Sequence, residues 1–242
     1  PPPPSPPSPP PSPPPSPPPS IASVLHLGSA STFALVSKAA ISCATSVITG
    51  DVGSLAALTG FAPLVAMAGY ATSDKVVSKI YAGGDTAAAA VADMAKANDV
   101  VDVFFTAKVA DVVLTVWAGA IGGLVFTKGV YKFTSFVAIT SDITLKGSAT
   151  DVFIFSVSSY LSIAAGVRVK LDGQVNAANI LWQVGGSTSL AAGVHLEGSL
   201  LSLGAITLGA SASLNGRALS RGAISLAAGT AVSQPGPPSS EL

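Results

Sequence analysis

From Thr127 onward the chain alternates apolar and polar residues in short runs, the period-two pattern of β-strands. Five segments share one texture: Ile143-Thr-Leu-Lys-Gly-Ser, Leu161-Ser-Ile-Ala-Ala-Gly, Thr188-Ser-Leu-Ala-Ala-Gly, Ile206-Thr-Leu-Gly-Ala-Ser and Ile224-Ser-Leu-Ala-Ala-Gly. Their central residues, Leu145, Ile163, Leu190, Leu208 and Leu226, follow one another at intervals of 18, 27, 18 and 18 residues. The long interval places nine extra residues in a loop over Leu171–Asn179. A repeat of this length is too short for helix pairs or leucine-rich units and suits one coil of a parallel β-solenoid, with three short strands and three corners. A single coil cannot bury its own inward side chains, whereas stacked coils make a continuous core. Ile206, Leu208, Ala212 and Leu214 are the inward residues of one such coil. Glu197-Gly198 and Asn215-Gly216 read as equivalent corners, where glycine tolerates positive φ.

Two runs, Val152–Val157 and Asn179–Val184, are apolar on both faces. Phe153, Phe155 and Val157 are expected inside, matched by Ile180, Trp182 and Val184. Ile154 and Leu181 then need a cover. The run from Asp85 to Lys108 supplies it: Asp85 or Thr86 caps a helix, four alanines follow, and no glycine or proline interrupts. Val91, Met94, Val101 and Phe105 recur at helical spacing as its apolar stripe, while Asp93, Lys96, Asp99 and Asp102 lie mostly off it. Met94, Phe104 and Phe105 belong to the core. The fold class expected is therefore all-β dominated, a parallel β-solenoid with one long α-helix packed alongside.

Composition narrows the function. Residues 1–20 are fifteen prolines and five serines, which cannot form helix or sheet and read as an extended polyproline II spacer. The folded domain is expected over 21–234, with a tail over 235–242. Twelve Lys and Arg balance twelve Asp and Glu, and charged residues are only 10% of 242, so no basic footprint for nucleic acid exists. Mean hydropathy is +0.60. The apolar run Val112–Phe126 is nonetheless too short to span a membrane, and Val52–Ser73 is broken by Gly53, Gly60, Pro63 and Gly69. Cys43 is alone, no Asn-x-Ser/Thr acceptor occurs, and the start at Pro1 implies that any signal peptide has been removed or left out.

Catalytic chemistry finds no foothold. His26 and His195 share no local motif with Cys or an acid, and His195 reads as a solvated surface residue. Asp142, Asp151, Asp172 and Glu197 fall on different columns of the repeat. There is no nucleophile elbow, zinc motif or phosphate loop, so neither enzyme activity nor a cofactor or metal is expected.

What the repeat does offer is a surface. The outward residues before each central position, Thr144, Ser162, Ser189, Thr207 and Ser225, all carry hydroxyls. Two positions earlier stand Asp142, Tyr160, Ser187, Ala205 and Ala223; two later stand Lys146, Ala164, Ala191, Gly209 and Ala227. Beyond the first coil and Tyr160, that face holds only Ala, Ser, Thr and Gly. A second outward column, Thr150, Arg168, His195, Ser213 and Ala231, is mixed. Hydroxyl ladders also arise because such residues suit exposed strands; an entire face without charge asks for more. Methyls and hydroxyls at fixed spacing, with Thr stiff at χ1, could order water or meet a crystalline surface.

The chain closely resembles the ice-binding β-helix family of bacteria, fungi, diatoms and algae. The resemblance runs from Leu27 to Val232 and is carried by Leu27-Gly-Ser-Ala, Ser31-Thr-Phe-Ala-Leu-Val-Ser-Lys38, Ile48-Thr-Gly-Asp-Val-Gly53 and Leu58-Thr-Gly-Phe61. Gly129-Val-Tyr-Lys-Phe133, Asp151-Val-Phe-Ile-Phe155, Ala178-Asn-Ile-Leu-Trp-Gln-Val184, Leu196-Glu-Gly198 and Ser213-Leu-Asn-Gly-Arg217 complete it. The Ser-Pro-Pro units resemble hydroxyproline-rich stretches of algal and plant extracellular glycoproteins, which hints at secretion. The family resemblance implies a right-handed, discontinuous β-helix of roughly triangular section. It also implies adsorption to ice by one flat face, which depresses freezing and inhibits recrystallisation, by a monomer. The ice-binding residues expected on the hydroxyl face are Thr144, Ser162, Ser187, Ser189, Ala205, Thr207, Ala223 and Ser225, with Thr49 added from the N-terminal coil. The alternative is an extracellular structural or adhesive module that binds cell-wall polysaccharide.

Overall fold

The computed structural model describes residues 27–61, 65–67, 70–73, 76–106, 113–115 and 119–234. The Pro/Ser tract over 1–20, the tail over 235–242 and the last two residues of the expected helix, 107–108, lie outside them, as do the side chains of Val101, Phe104 and Phe105. Three parallel ladders wrap one apolar interior, because short strands, most of them three to five residues long, alternate with corners and each coil exposes the same pattern to the next. One face stacks Gly119–Ala120, Val137–Ile139, Leu161–Ile163, Thr188–Leu190, Ile206–Leu208, Ile224–Leu226, Ile41–Cys43 and Leu58–Thr59. We refer to it as the small-residue face. A second, the helix-covered face, stacks Val113–Thr115, Gly129–Phe133, Phe153–Val157, Ile180–Val184, Ser199–Ser202, Ala218–Ser220, Phe33–Ser37, Asp51–Ser54 and Val76–Ala82. The third, the mixed face, runs through Ile143–Gly147 and Val169–Gly173 to His195–Glu197, Ser213–Asn215, Ala231–Ser233 and Val47–Thr49.

Chain order and spatial order differ. Phe33–Ser37 pairs with Ala218–Ser220, so the first coil in sequence stacks on the last, and the long helix, Gly84–Thr106, carries the chain away before the remaining coils build. The inward register expected between Phe153, Phe155, Val157 and Ile180, Trp182, Val184 is the observed one. Parallel in-register stacking places aromatics over aromatics: Phe155 and Trp182 stack at 4.1 Å, and Tyr131 and Phe155 at 5.2 Å, with Phe126 edge-on to Tyr131 and Phe155. Their polar tips are satisfied, Trp182 Nε1 donating to the Glu197 carbonyl and the Tyr131 hydroxyl to the Thr127 carbonyl.

The helix lies where Leu181 required a cover. Leu181, Leu201, Leu219 and Val36 point outward in one apolar layer with Ala90, Val91, Met94 and Ala97, closed off by Leu27, Ala30 and Phe33; Ile154 is half-buried at its margin. Arg217 donates twice to the Ser31 carbonyl and Arg221 donates to the Ala95 carbonyl, so the last coil holds both the N-terminal segment and the helix.

One assignment from the repeat is corrected. Ile143–Gly147 pairs with Val125–Phe126 and Val169–Gly173, on the mixed face, and the strand that precedes Leu161–Ile163 on the small-residue face is Val137–Ile139. Ladder partners Val137 and Leu161 stand 24 residues apart, because a turn over 148–151 lengthens that coil, so the 18-residue spacing to Leu145 matches a different face. Part of the expected loop over Leu171–Asn179 is strand as well, since Leu171–Gly173 continues Val169–Gly173. At the corner after the small-residue face, Gly166, Gly193 and Gly229 have φ near 70°, and Ser211 takes the same left-handed conformation at 55°. Gly198 has positive φ as expected. Gly216 does not; it is required by close approach, since a Cβ there would lie 1.9 Å from the Gly198 carbonyl oxygen.

Candidate functional site

The small-residue face presents three outward columns. The central one reads Ala120, Ala138, Ser162, Ser189, Thr207, Ser225, Ser42, Thr59, each residue opposite the next in the ladder. Beneath it, Val137, Leu161, Ile206, Ile224 and Ile41 are buried, so side chains alternate in and out at every strand. On one flank stand Phe136, Tyr160, Ser187, Ala205, Ala223, Ala40 and Ala57, joined by backbone hydrogen bonds from coil to coil. On the other stand Thr140, Ala164, Ala191, Gly209, Ala227 and Ala44. No residue of these columns is ionisable except Tyr160. Within the central column Ser42 Oγ donates to Ser225 Oγ at 3.2 Å.

Below these columns the coils are pinned from inside. Ser37, Ser54, Ser202 and Ser220 occupy one inward register position at the corner entering this face, are essentially unexposed, and donate to corner carbonyls of Ala39, Gly186, Gly204 or Gly222. Every donor is satisfied, so the corner sits at fixed height and the strand beyond it starts at a fixed place.

The mixed face has another chemistry. Lys170 pairs with Asp142 at 2.7 Å and Lys146 with Asp172 at 3.1 Å. The Lys170 ammonium and the Arg168 backbone N–H hold the Asp142 carboxyl below its ordinary range. His195 is no isolated surface residue: Nε2 lies 2.8 Å from Glu197 Oε1, Nδ1 lies 2.7 Å from Ser213 Oγ, and Asn215 donates to Glu197 Oε2 at 2.7 Å. Ser, His and Glu thus meet in the order of a hydrolytic relay. The neighbouring backbone donors are spent, however, Ser213 N–H on the Val194 carbonyl and Ala231 N–H on that of Ala212. Among the described residues no free donor is aimed at a developing oxyanion there, and the relay ties two neighbouring coils together, His195 and Glu197 on one and Ser213 and Asn215 on the next.

The structure brings together Ser162, Ser187, Ser189, Ala205, Thr207, Ala223 and Ser225 on the small-residue face. It places two expected residues elsewhere, both on the mixed face: Thr144 stands opposite Lys170, and Thr49 opposite Ser233. Asp142 and Lys146 leave the small-residue face with Thr144, which removes its only expected charges. Ser42 and Thr59 were missed. Their signal was present: Ser37-Lys-Ala-Ala-Ile-Ser42 and Ser54-Leu-Ala-Ala-Leu-Thr59 repeat Ser202-Leu-Gly-Ala-Ile-Thr207 and Ser220-Arg-Gly-Ala-Ile-Ser225.

The described residues thus form a parallel β-solenoid with one face of small, uncharged side chains. Comparison with known proteins is specific about its family. The chain belongs to the Ice-binding-like family, whose profile matches residues 35–232. It is 37% identical over 191 residues to an ice-binding protein of Flavobacterium frigoris, a match covering 74% of this chain and 65% of that protein. It is 32% identical over 198 residues to ice-binding protein K3-B1 of Typhula ishikariensis, covering 76% and 79%. The crystal structure of a glycosylated ice-binding protein from an Arctic yeast superposes with a TM-score of 0.80 at 36% identity, covering 89% of this chain and 96% of that one.

Proposed function

We propose that this chain binds ice through the small-residue face, depressing freezing and inhibiting recrystallisation, as a secreted monomer that needs no cofactor and catalyses no reaction. The observation that supports this best is three adjacent columns without a charge running from coil to coil, in a chain of the Ice-binding-like family. Ice is a neutral lattice of water. A charged side chain keeps its own hydration shell and must give it up at such a surface, at a cost of several kcal/mol. Methyls and small hydroxyls have little to give up. Each contact is worth only about 0.1–0.2 kcal/mol per atom pair, so adsorption needs many at once. A face already held by ladders and buried serines loses little freedom on binding. The Pro/Ser tract acts as a spacer, the domain occupies 21–234, and 235–242 is a tail.

Thr207→Tyr places a ring in the middle of the central column. Because Thr207 is exposed, the chain is expected to fold and melt as before while the gap between melting and freezing points of a single ice crystal collapses. Retention of the gap by Thr207→Tyr, together with its loss on changing Arg168 and His195 to Tyr, would move the ice face to the mixed side.

A further inference from the structure

We propose that the stacked pair Phe136–Tyr160 ends the ice-contacting area and limits the activity of this chain. The inference rests on the small-residue face being the ice face. Phe136 and Tyr160 occupy the flank column on successive coils, where the next coils carry Ser187, Ala205 and Ala223. Their rings are parallel within 5° and 5.0 Å apart, close to the roughly 4.8 Å between neighbouring strands. The stack therefore runs along the solenoid axis, and ring edges rather than ring faces point away from the sheet. Tyr160 is 44% exposed. Phe136 also packs close to Gly119, where a Cβ would lie 3.2 Å from its Cε2 and Cζ. A ridge of two rings thus borders a plane of methyls and hydroxymethyls.

The mixed face changes character at the same end. Asp142, Lys146, Arg168, Lys170 and Asp172 all belong to the coils of Phe136 and Tyr160, whereas the Arg168 column continues through His195 to Ser213, Ala231 and Val47. A glycan platform fits the pair less well, since a sugar stacks on an open ring face. Each of these rings has one face covered by the other.

Phe136→Ala/Tyr160→Ser extends the flat flank column from the five coils of Ser187, Ala205, Ala223, Ala40 and Ala57 to seven. The freezing gap of the full-length chain is expected to rise about 1.4-fold, in proportion to the contacts added. Tyr160→Ser alone removes only an exposed ring and should give part of that rise. Ser187→Tyr, which carries the stack one coil further, should lower the gap. Circular dichroism melts establish that each variant is folded, and the two single variants decide if the double one is not. An unchanged or smaller gap in folded Tyr160→Ser would overturn the proposal. So would retention of the native chain on insoluble cellulose that is lost with Tyr160→Ser, which would assign the pair to a glycan. These outcomes are separate from failure of the ice-face reading, which shows only as a Thr207→Tyr variant with its gap intact.

Discussion

Thr188 is the one inward position beneath the central column that carries a hydroxyl. Its ladder neighbours are Leu161 and Ile206, it is 1% exposed, and its Oγ1 has no hydrogen-bond partner. Leaving a buried hydroxyl unpaired costs about 1–3 kcal/mol. Valine has the same branched shape without the hydroxyl and the same preference for strand. Thr188→Val is therefore expected to stabilise the fold by about 1 kcal/mol, read as a higher denaturation midpoint at unchanged slope. The freezing gap should stay as it is, because the side chain faces inward. The buried serines behave oppositely. The single Ser220 hydroxyl proton is shared between the Gly204 carbonyl at 2.7 Å and the Gly222 carbonyl at 3.0 Å, and Oγ accepts from Gly222 N–H. Hydroxyls inside this solenoid are useful at its corners, where carbonyls turn inward, and costly on the strands, where the ladder has already used them.

At the scale of elements, the helix holds one layer and the coils another. Met94 is unexposed among Ala90, Val91, Leu181, Leu201 and Leu219. Met94→Ala is expected to cost about 2–4 kcal/mol through lost burial and a residual cavity, measured by urea unfolding. The freezing gap of the surviving folded protein should be preserved, since the helix covers a face other than the flat one. The helix and the Phe153–Val157 and Ile180–Val184 pairing were legible because each has its own mark: an uninterrupted 3.6-residue stripe, and strands apolar on both sides. Which face a strand belongs to was less legible. Ile143-Thr144-Leu145 and Leu161-Ser162-Ile163 show the same in–out–in pattern, yet a turn over 148–151 moves the first to the mixed face. Alternation fixes which side of a strand is buried, but coil length fixes the face, and coil length varies wherever a corner takes an insertion. Thr49 failed for a related reason. Strand pattern alone could not show that the N-terminal coil turns its Ser42 to the small-residue face and its Thr49 to the mixed one.

Across the whole molecule, charge is segregated as well as scarce. The carboxylates with perturbed ionisation all lie away from the flat face. Asp142 is held low by Lys170 and then by the Arg168 N–H, Asp93 by the Ser29 N–H and then by Lys96, and Asp151 by the Ser148 N–H. In each case the folded pKa lies below that of the unfolded chain, about 3.9 for Asp. Such a group contributes fully above the unfolded value and loses its contribution as pH falls through the folded one. The melting temperature should therefore hold level above about pH 5 and decline below about pH 4. The decline should be shallow, because these pairs are exposed to solvent. The freezing gap should not follow it. Apart from Tyr160 the three flat columns carry no ionisable side chain, so nothing on them changes charge as acid is added. At 0 °C, while the fold persists, the gap measured at pH 3.5 should equal that at pH 7. A gap that shrinks near pH 4 in a chain still folded by circular dichroism would mean that Asp142 and its neighbours touch ice, and would carry the binding surface around the corner onto the mixed face.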